Sequence, residues 1–218
     1  MRLQLAIDTL ESAEAERLVA RVRDLVDIVE VGTPLIIREG VAAVRRLHAA
    51  FPELDLVADL KIADGGHLEA SLGFAAGARM VTVLASAADA TIREALRAAR
   101  EHRGEVVVDL MGVANPVRRA REVEALGVHI VCLHTAVDVQ KESAGAAVLG
   151  TEALRVVMEA LSTARTAVAG GITAETCGVL AALRPDIVIV GSGITGAADP
   201  RAAAAAVRAA VQEGRPCP

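Results

Sequence analysis

Short segments that are apolar almost throughout recur along the chain and alternate with longer segments whose apolar residues repeat at helical spacing. Short continuous apolar segments are typical of parallel strands that are buried on both faces. In residues 88–103, by contrast, Ile92, Leu96 and Ala99 share one face of a predicted helix. The strand-like segments occupy residues 3–8, 27–32, 56–61, 80–85, 105–112, 129–135, 166–171 and 186–193. The pattern therefore predicts eight strands that alternate with helices.

Polar residues near the ends of these segments recur at a nearly constant spacing. The positions concerned are Asp8, Glu30, Asp59, Asp109 and His134, with Leu84 at the corresponding place in the fourth segment. A period of about 25 residues over eight strand–helix units is typical of a closed (β/α)8 TIM barrel. An open doubly wound sheet usually has a G-x-G-x-x-G turn after its first strand, which residues 8–11 do not have. We therefore predict an α/β fold, a single (β/α)8 barrel over residues 1–213 with a short tail over residues 214–218.

Composition narrows the class of protein. The apolar fraction of 53% excludes global disorder. With 28 Asp and Glu against 23 Lys and Arg, two Phe and neither Tyr nor Trp, the chain lacks the basic and aromatic surfaces that bind nucleic acids. No segment approaches the ~20 apolar residues of a membrane span, and Cys132, Cys177 and Cys217 lack the spacing of a disulfide framework or a zinc site. We expect a reduced, cytoplasmic enzyme that binds neither nucleic acid nor membrane.

The segment from Asp59 to Asp64 carries the most informative charges. In a barrel, catalytic groups sit where the strands meet the loops that follow them. Side chains two apart on a strand face the same way, so Asp59 and Lys61 should point together into the mouth of the barrel. Asp64 lies beyond the strand, and we expect the Lys61 ammonium to be held between the two carboxylates. The alternative is a salt-bridged triad that only closes the top of the barrel.

Glu30 and Asp59 lie on strands that are neighbours in the predicted barrel. Two carboxylates at one rim, with positions left for water and substrate, suit Mg²⁺, whereas a zinc site would need several His or Cys ligands. The alternative is that Glu30 simply pairs with Lys61.

His134 is the one histidine that the pattern places at the active rim. A neutral imidazole there suits general acid or base chemistry near pH 7, and the alternative is a histidine that only supports the core. Asp109 is expected to order water or a neighbouring side chain. The stretch from Val137 to Gly150, which contains Ser143 and Gly145, is longer than most βα loops and is either a lid or a plain insertion.

Glycine-rich turns end the last two predicted strands. Gly170 and Gly171 follow the seventh strand, and Gly191, Ser192 and Gly193 follow the eighth. These are the positions at which (β/α)8 barrels commonly bind phosphate through backbone N–H groups and a short helix. Because neither turn contains an arginine, the predicted phosphate site would rely on amides, the Ser192 hydroxyl and the helix dipole. The alternative is that the glycines only allow tight turns.

The Asp59-x-Lys61-x-x-Asp64 motif resembles that of the orotidine-phosphate decarboxylase suprafamily. Within it, the chain is most similar to the 3-hexulose-6-phosphate synthases. The similarity runs from LQLAID through DIVEVGTPLIIREG, ADLKIADGG, LGVHIVCLHT and VAGGIT to IVIVGSGIT. The resemblance to related decarboxylases is weaker. Orotidine-phosphate decarboxylases have Lys at the place of Glu30, and keto-gulonate-phosphate decarboxylases have Arg at the places of Ser192 and Val137.

The resemblance implies a Mg²⁺-dependent aldehyde-lyase that adds formaldehyde to D-ribulose 5-phosphate through a metal-stabilised 1,2-enediolate, giving D-arabino-hex-3-ulose 6-phosphate reversibly. It implies that Lys61 stabilises the developing negative charge, that His134 moves the proton and that Asp8 orients Lys61 or a sugar hydroxyl. It also implies a homodimer in which Asp64 reaches the active site of the neighbouring subunit. The alternatives are a 3-keto-L-gulonate-6-phosphate decarboxylase-like enzyme and a barrel that binds sugar phosphates without catalysis.

Overall fold

Eight parallel strands close into a barrel in the computed structural model, which describes residues 1–142 and 146–213. Each strand pairs with the next in chain order, and β8 pairs with β1. The strands are β1 (Arg2–Ile7), β2 (Ile28–Val31), β3 (Asp55–Ile62), β4 (Met80–Leu84), β5 (Glu105–Asp109), β6 (Ile130–His134), β7 (Arg165–Ala169) and β8 (Ile187–Val190). The prediction of a (β/α)8 barrel is therefore confirmed. The predicted tail, residues 214–218, lies outside the described residues.

Helices connect the strands and cover the outside of the barrel. Over the described residues they are α1 (Ser12–Val22), α2 (Thr33–Glu39), α3 (Ala42–Ala50), α4 (Gly66–Ala75), α5 (Asp89–His102), α6 (Pro116–Ala125), α7 (Val137–Glu142), α8 (Ala146–Ala160), α9 (Ala174–Ala181), α10 (Ser192–Thr195) and α11 (Pro200–Glu213). At the start of α6, the Asn115 side chain accepts a hydrogen bond from the Arg118 N–H, which satisfies one of the free donors of the first turn. None of these helices is long and apolar enough to cross a membrane.

Alternation along the strands divides the apolar core into two parts. Residues that point outward, such as Leu5 and Val29, pack beneath the helices in the larger cluster. Residues that point inward fill the barrel in a second, smaller cluster of buried side chains: Ile28, Val57, Met80, Val107, Ile130, Cys132, Ala167, Ile187 and Ile189. The barrel is thus a packed core rather than a pore, as is usual for this architecture.

The stretch from Val137 to Gly150 is mainly helical where the structure describes it. It contains α7 and the first turn of α8, so its length does not reflect a long irregular loop. Ser143 and Gly145 lie outside the described residues, and the prediction of a lid stays a prediction.

Strand β3 contains an irregularity just before it ends. Its register with β4 moves from Ala58 opposite Val81 to Ile62 opposite Val83, so β3 has two more residues than its partner over this interval. Within it, Lys61 has a φ of 46°, in the left-handed region. Bulges of this kind re-aim side chains and are common beside active sites. The distortion falls on the motif that sequence reasoning placed at the centre of the chemistry.

Candidate active site

Charged and polar side chains from β2, β3, β5 and β6 converge at the carboxyl end of the barrel. Glu30, Asp59 and Asp109 are buried, with exposed fractions of 8%, 5% and 4%. Their charges interact with the ammonium of Lys61, whose pKa responds to all three. An unpaired buried charge costs several kcal/mol. Buried carboxylates such as these are therefore stable only where they pair with one another's counter-charges or with a bound ligand. The convergence predicted from the strand ends is what the structure contains.

Asp59 is the most extensively hydrogen-bonded carboxylate of the group. Its Oδ2 atom lies 2.5 Å from the Lys61 Nζ atom and 2.7 Å from the Thr33 hydroxyl. Its Oδ1 atom accepts a hydrogen bond of 2.8 Å from the Thr82 hydroxyl. Burial alone would raise the pKa of Asp59, but the Lys61 charge and these hydrogen bonds outweigh it and lower the pKa. Asp59 is therefore an ionised carboxylate held in a fixed orientation.

Lys61 remains protonated for the complementary reason. Burial would lower the pKa of its ammonium, but the negative charge and the hydrogen bond of Asp59 raise it, with smaller contributions from Asp109 and Glu30. The structure thus contains a permanent positive charge at the mouth of the barrel, beside the ionised Asp59 and partly accessible from solvent.

Asp64 does not share this ammonium within one chain. Its side chain is exposed, and its Oδ1 atom accepts a hydrogen bond of 2.7 Å from the Gly65 N–H. The chain turns at Gly65, whose φ is 62°, and this turn carries Asp64 away from the ion pair. The prediction that Lys61 lies between the Asp59 and Asp64 carboxylates is therefore wrong for the isolated chain. A role for Asp64 in a neighbouring subunit stays a prediction.

Glu30 is buried beside the ion pair and has a different partner. The Gln4 side-chain amide donates a hydrogen bond of 2.5 Å to its Oε2 atom. Burial and the negative charge of Asp59 raise the pKa of Glu30 well above its usual value. Among the described ion pairs Lys61 contacts Asp59 and not Glu30, so the alternative of a simple Glu30–Lys61 pair is not supported.

The Glu30 and Asp59 carboxylates fit a Mg²⁺ ion by their chemistry. Both are buried on neighbouring strands, and the charge of Asp59 disfavours the ionised form of Glu30. A divalent cation between them would relieve that repulsion. Over residues 1–142 and 146–213 there is no group of three or more His, Cys, Asp or Glu side chains arranged to hold a metal. Water and substrate would therefore have to complete the coordination, which is how Mg²⁺ is usually bound.

His134 is oriented by Asp109. The His134 Nδ1 atom lies 2.8 Å from the Asp109 Oδ2 atom, while Asp109 Oδ1 accepts a hydrogen bond from the Met111 N–H. An ionised carboxylate only accepts hydrogen bonds, so Nδ1 carries the proton in this pair. The Nε2 atom is then the basic nitrogen of the neutral ring, and no side chain of the described residues hydrogen-bonds to it.

Asp8 extends the cluster towards β8. Although the residue as a whole is exposed, partial enclosure of its carboxyl group and the negative charge of Asp59 raise the pKa of Asp8. A Cβ atom at Gly32 would lie 2.2 Å from one Asp8 oxygen, so the glycine after β2 makes room for this carboxylate. No hydrogen bond joins Asp8 to Lys61 among the described residues, and the predicted orienting role of Asp8 stays a prediction.

The two glycine-rich turns contact each other and the loop after β6. A Cβ atom at Gly193 would lie 2.3 Å from the Ile172 carbonyl oxygen, and one at Gly170 would lie 2.5 Å from the Thr135 carbonyl oxygen. Gly170 also has a φ of 109°, which favours glycine. Close packing of the loops explains both glycines. Ser192 is exposed at the first position of α10, with Gly171 and Gly191 at the same rim.

Sequence reasoning missed three hydrogen-bond donors that hold the carboxylates: Gln4, Thr33 and Thr82. Gln4 and Thr82 are buried, with exposed fractions of 4% and 6%. Each is a polar residue at an inward position of an otherwise apolar strand, and that violation of the alternation was the signal available. Thr33 gives no comparable signal, because it lies at the start of α2 and not on a strand.

Comparisons with known families and known sequences point to the same family. A profile of the orotidine 5'-phosphate decarboxylase / HUMPS family matches residues 1–207. A 3-hexulose-6-phosphate synthase of Bacillus subtilis (strain 168) is 40% identical over 214 residues, which cover 98% of this chain and 100% of the relative.

Solved structures agree in fold and differ in sequence similarity. The 3-hexulose-6-phosphate synthase of Salmonella typhimurium has a TM-score of 0.94 and 41% identity, and the match covers 99% of this chain and 100% of that chain. The 3-keto-L-gulonate-6-phosphate decarboxylase of Vibrio cholerae has a TM-score of 0.86 and 28% identity, with 99% of each chain covered.

Proposed function

The chain belongs to the orotidine 5'-phosphate decarboxylase / HUMPS family and is a lyase, and we propose that it condenses formaldehyde with D-ribulose 5-phosphate to give D-arabino-hex-3-ulose 6-phosphate, reversibly. Relatives that are named 3-hexulose-6-phosphate synthase support this proposal over the whole length of the chain. The observation that carries it is the Lys61–Asp59 ion pair beside Glu30, with the Asp109–His134 pair at the same rim.

Substrate binding would begin at the glycine-rich turns. The phosphate group of the sugar would accept hydrogen bonds from the N–H groups of Gly170, Gly171, Gly191 and Gly193 and from the Ser192 hydroxyl. Backbone donors at such turns bind phosphate without a side-chain cation. In this placement the carbonyl end of the sugar would face the charged cluster at the same rim.

Proton transfer falls to His134. Its Nε2 atom would remove a proton from C1 of ribulose 5-phosphate, next to the carbonyl group, and leave a 1,2-enediolate. The electron pair of the C1=C2 double bond of the enediolate then forms a carbon–carbon bond with formaldehyde, and the carbonyl group at C2 re-forms. The formaldehyde oxygen takes the electron pair of its own double bond. That oxygen accepts the proton from His134, so the histidine returns to its initial state. An imidazole suits both steps, because the same ring nitrogen can accept a proton and return it.

Charge stabilisation falls to Lys61 and to the two carboxylates. The Lys61 ammonium is fixed by Asp59 and stays charged, so it stabilises negative charge that develops on the substrate oxygens. Glu30 and Asp59 would hold Mg²⁺, which supplies further positive charge to those oxygens when it is bound. Because both carboxylates are anchored by hydrogen bonds from Gln4 and Thr82, the site is organised before substrate arrives.

Decarboxylation of 3-keto-L-gulonate 6-phosphate is the second candidate. The Vibrio cholerae decarboxylase has the same fold, but its identity of 28% is well below the 40% shared with the synthase of Bacillus subtilis. Ser192 and Val137 occupy positions at which the resemblance leads us to expect arginine in such decarboxylases. We therefore favour the aldol reaction.

Nuclear magnetic resonance of the reaction mixture tests the proposal directly. The protein is incubated with ribulose 5-phosphate and ¹³C-formaldehyde, with Mg²⁺ or with a chelator. We expect the label to appear in a hexulose phosphate only when the metal is present. Carbon dioxide release from 3-keto-L-gulonate 6-phosphate without incorporation of formaldehyde would instead identify the decarboxylase. Binding of the sugar phosphate without any turnover would identify a non-catalytic barrel.

A homodimer with shared active sites belongs to the same proposal. Leu68 and Leu72 are one turn apart on α4, directly after Asp64, and have exposed fractions of 68% and 50%. Residues four apart lie on one face of a helix, so α4 presents an apolar stripe to its surroundings. Burial of this stripe against a second copy would place Asp64 at the boundary between the subunits.

A reduced, cytoplasmic setting is also part of the proposal. Cys132 and Cys177 are unpaired and buried, and burial raises the pKa of the Cys177 thiol to about 11. Both therefore behave as apolar core residues in a reducing compartment.

A further inference from the structure

Thr82 occupies the gap that the β3 irregularity leaves in the barrel. In a regular parallel ladder the Lys61 N–H would donate to a backbone carbonyl of β4. Because the register shifts between Ala58 and Ile62, it donates instead to the Thr82 hydroxyl, at 2.9 Å. Lys61 has a left-handed backbone conformation. This conformation is energetically unfavourable for any residue other than glycine, so contacts with the surroundings must stabilise it. The Thr82 hydroxyl supplies such a contact.

The same hydroxyl group also holds Asp59. Its proton is directed to Asp59 Oδ1 at 2.8 Å, while its lone pairs accept from the Lys61 N–H. Thr33 and the Lys61 ammonium both contact the other oxygen, Oδ2. No other donor in the part of the chain that the structure describes reaches Oδ1, so Thr82 holds this oxygen while Thr33 and Lys61 hold the other.

We propose that Thr82 is a positioning residue, whose one hydroxyl group sets both the backbone of Lys61 and the carboxylate plane of Asp59. The inference deepens the proposed function and rests on it. It assigns to a buried threonine the alignment of the ammonium with the carboxylate that would bind Mg²⁺. Groups that orient metal ligands typically change affinity or activity by about 10- to 100-fold when they are removed.

Two substitutions separate the hydroxyl from the rest of the side chain. Thr82→Val keeps the shape of the side chain and removes the hydroxyl, whereas Thr82→Ser keeps the hydroxyl and removes a methyl group. Thr166→Val is the matched control, because Thr166 is equally buried, at 5%, and its hydroxyl is hydrogen-bonded to Asp186 at the opposite end of the barrel. The control measures the general effect of losing a buried threonine hydroxyl from this barrel.

Hydrogen exchange and steady-state kinetics provide two independent measurements. Amide exchange of residues 59–62 is followed in the full-length protein without metal or sugar. For Thr82→Val we expect faster exchange in this segment and kcat lower by about 10- to 100-fold. We expect KM for ribulose 5-phosphate to stay within about threefold of the original value, since the proposed phosphate site follows β7 and β8, across the barrel from β4. Thr82→Ser should restore both measurements, and Thr166→Val should leave both unchanged.

Three other results would contradict the positioning role of Thr82. Unchanged exchange or unchanged kcat in Thr82→Val, equal losses in Thr166→Val, or no restoration by serine would each overturn the assignment. If the unsubstituted protein does not turn over ribulose 5-phosphate and formaldehyde, the proposed function fails. The exchange experiment then decides by itself whether the Thr82 hydroxyl holds the segment from Asp59 to Ile62.

Discussion

The Nδ1 atom of His134 lies 2.8 Å from the Asp109 carboxylate, so Asp109 selects the ring tautomer that leaves Nε2 basic. An asparagine at position 109 would present an amide that no longer requires a proton on Nδ1. We expect Asp109→Asn to lower kcat by about 10- to 1,000-fold, which is part of the contribution of a well-placed general base. KM should change little, because Asp109 is not a phosphate ligand in the proposal. Initial rates with ribulose 5-phosphate and formaldehyde measure both constants.

The double variant shows whether Asp109 acts through His134. If it does, adding Asp109→Asn to His134→Ala causes no further loss, because the group that Asp109 orients is already absent. Losses that multiply would show that Asp109 has a separate role.

Removal of one proposed metal ligand should abolish the response to Mg²⁺. Glu30→Gln retains the shape of the side chain and an acceptor for the Gln4 amide, but it removes the negative charge. We expect Mg²⁺ to raise the Tm of the unsubstituted protein and not that of the variant, and kcat/KM to fall by at least about 100-fold. Glu14→Gln is the matched control, since Glu14 is an exposed carboxylate on α1.

The comparison is made at one pH, because burial and the charge of Asp59 raise the pKa of Glu30 and metal binding requires the ionised carboxylate. Differential scanning with and without a chelator at neutral pH gives the shift in Tm, and the same samples give the rate. An equal shift in Tm for Glu30→Gln and for the original protein would show that Glu30 is not a ligand.

Stability should depend on pH through Glu124, far from the active site. Its carboxylate accepts hydrogen bonds from the N–H groups of Ser162, Thr163 and Ala164, at 2.7–2.9 Å. Although the limited burial opposes it, these bonds lower the pKa of Glu124 to about 2. In the unfolded chain the pKa is near 4.5, so the stabilisation is fully present above about pH 5 and is lost as the pH falls towards 2.

Glu124→Gln measures this contribution. We expect the free energy of unfolding to fall by about 1–2 kcal/mol at pH 7, which is modest because the group is largely solvated. The difference between the variant and the original protein should shrink between pH 4.5 and pH 2. Urea denaturation at several pH values measures it, with Glu14→Gln as the control. A difference that is independent of pH would contradict the assignment to the charged carboxylate.

The apolar stripe on α4 should control assembly. Leu68→Glu together with Leu72→Glu should convert a dimer into monomers in light scattering, because two charges would be buried at the interface. Val179→Glu on α9 is the control, since Val179 is also exposed, at 46%, but lies on a different helix. If the double variant has the same mass as the original protein, α4 is not the interface.

Mixing inactive subunits tests whether Asp64 acts across that interface. Lys61→Ala and Asp64→Ala should each be inactive alone. Random reassembly of a symmetric dimer from equal amounts should restore about a quarter of the activity, because half of the dimers are mixed and each mixed dimer has one complete site. If Asp64 served its own subunit, no activity would return.

The fold was predictable because its signals are local and repeated. Each strand is a short apolar run, and the period of about 25 residues fixes the number of strand–helix units. The convergence of Glu30, Asp59 and His134 followed from the rule that strand ends meet at one rim. The orientation of Asp64 could not be predicted in the same way. It depends on the turn at Gly65 and on the hydrogen bond that the Gly65 N–H donates to the Asp64 carboxylate.

The irregularity in β3 was also beyond sequence reasoning. Strict alternation correctly places Asp59 and Lys61 on one side, but it gives no indication that Lys61 takes a left-handed conformation or that β3 has two extra residues. Both depend on what lies opposite in β4, where Thr82 replaces a backbone partner. Pairing between strands carries this information, and a single strand read alone does not.

The contact between Gly193 and the Ile172 carbonyl interlocks the turns after β7 and β8. Because a Cβ atom at position 193 would lie 2.3 Å from that carbonyl oxygen, a side chain there would force the two turns apart. The substitution Gly193→Ala would therefore displace residues of both turns. If the two turns bind phosphate as we propose, the distance between their N–H groups would change as well.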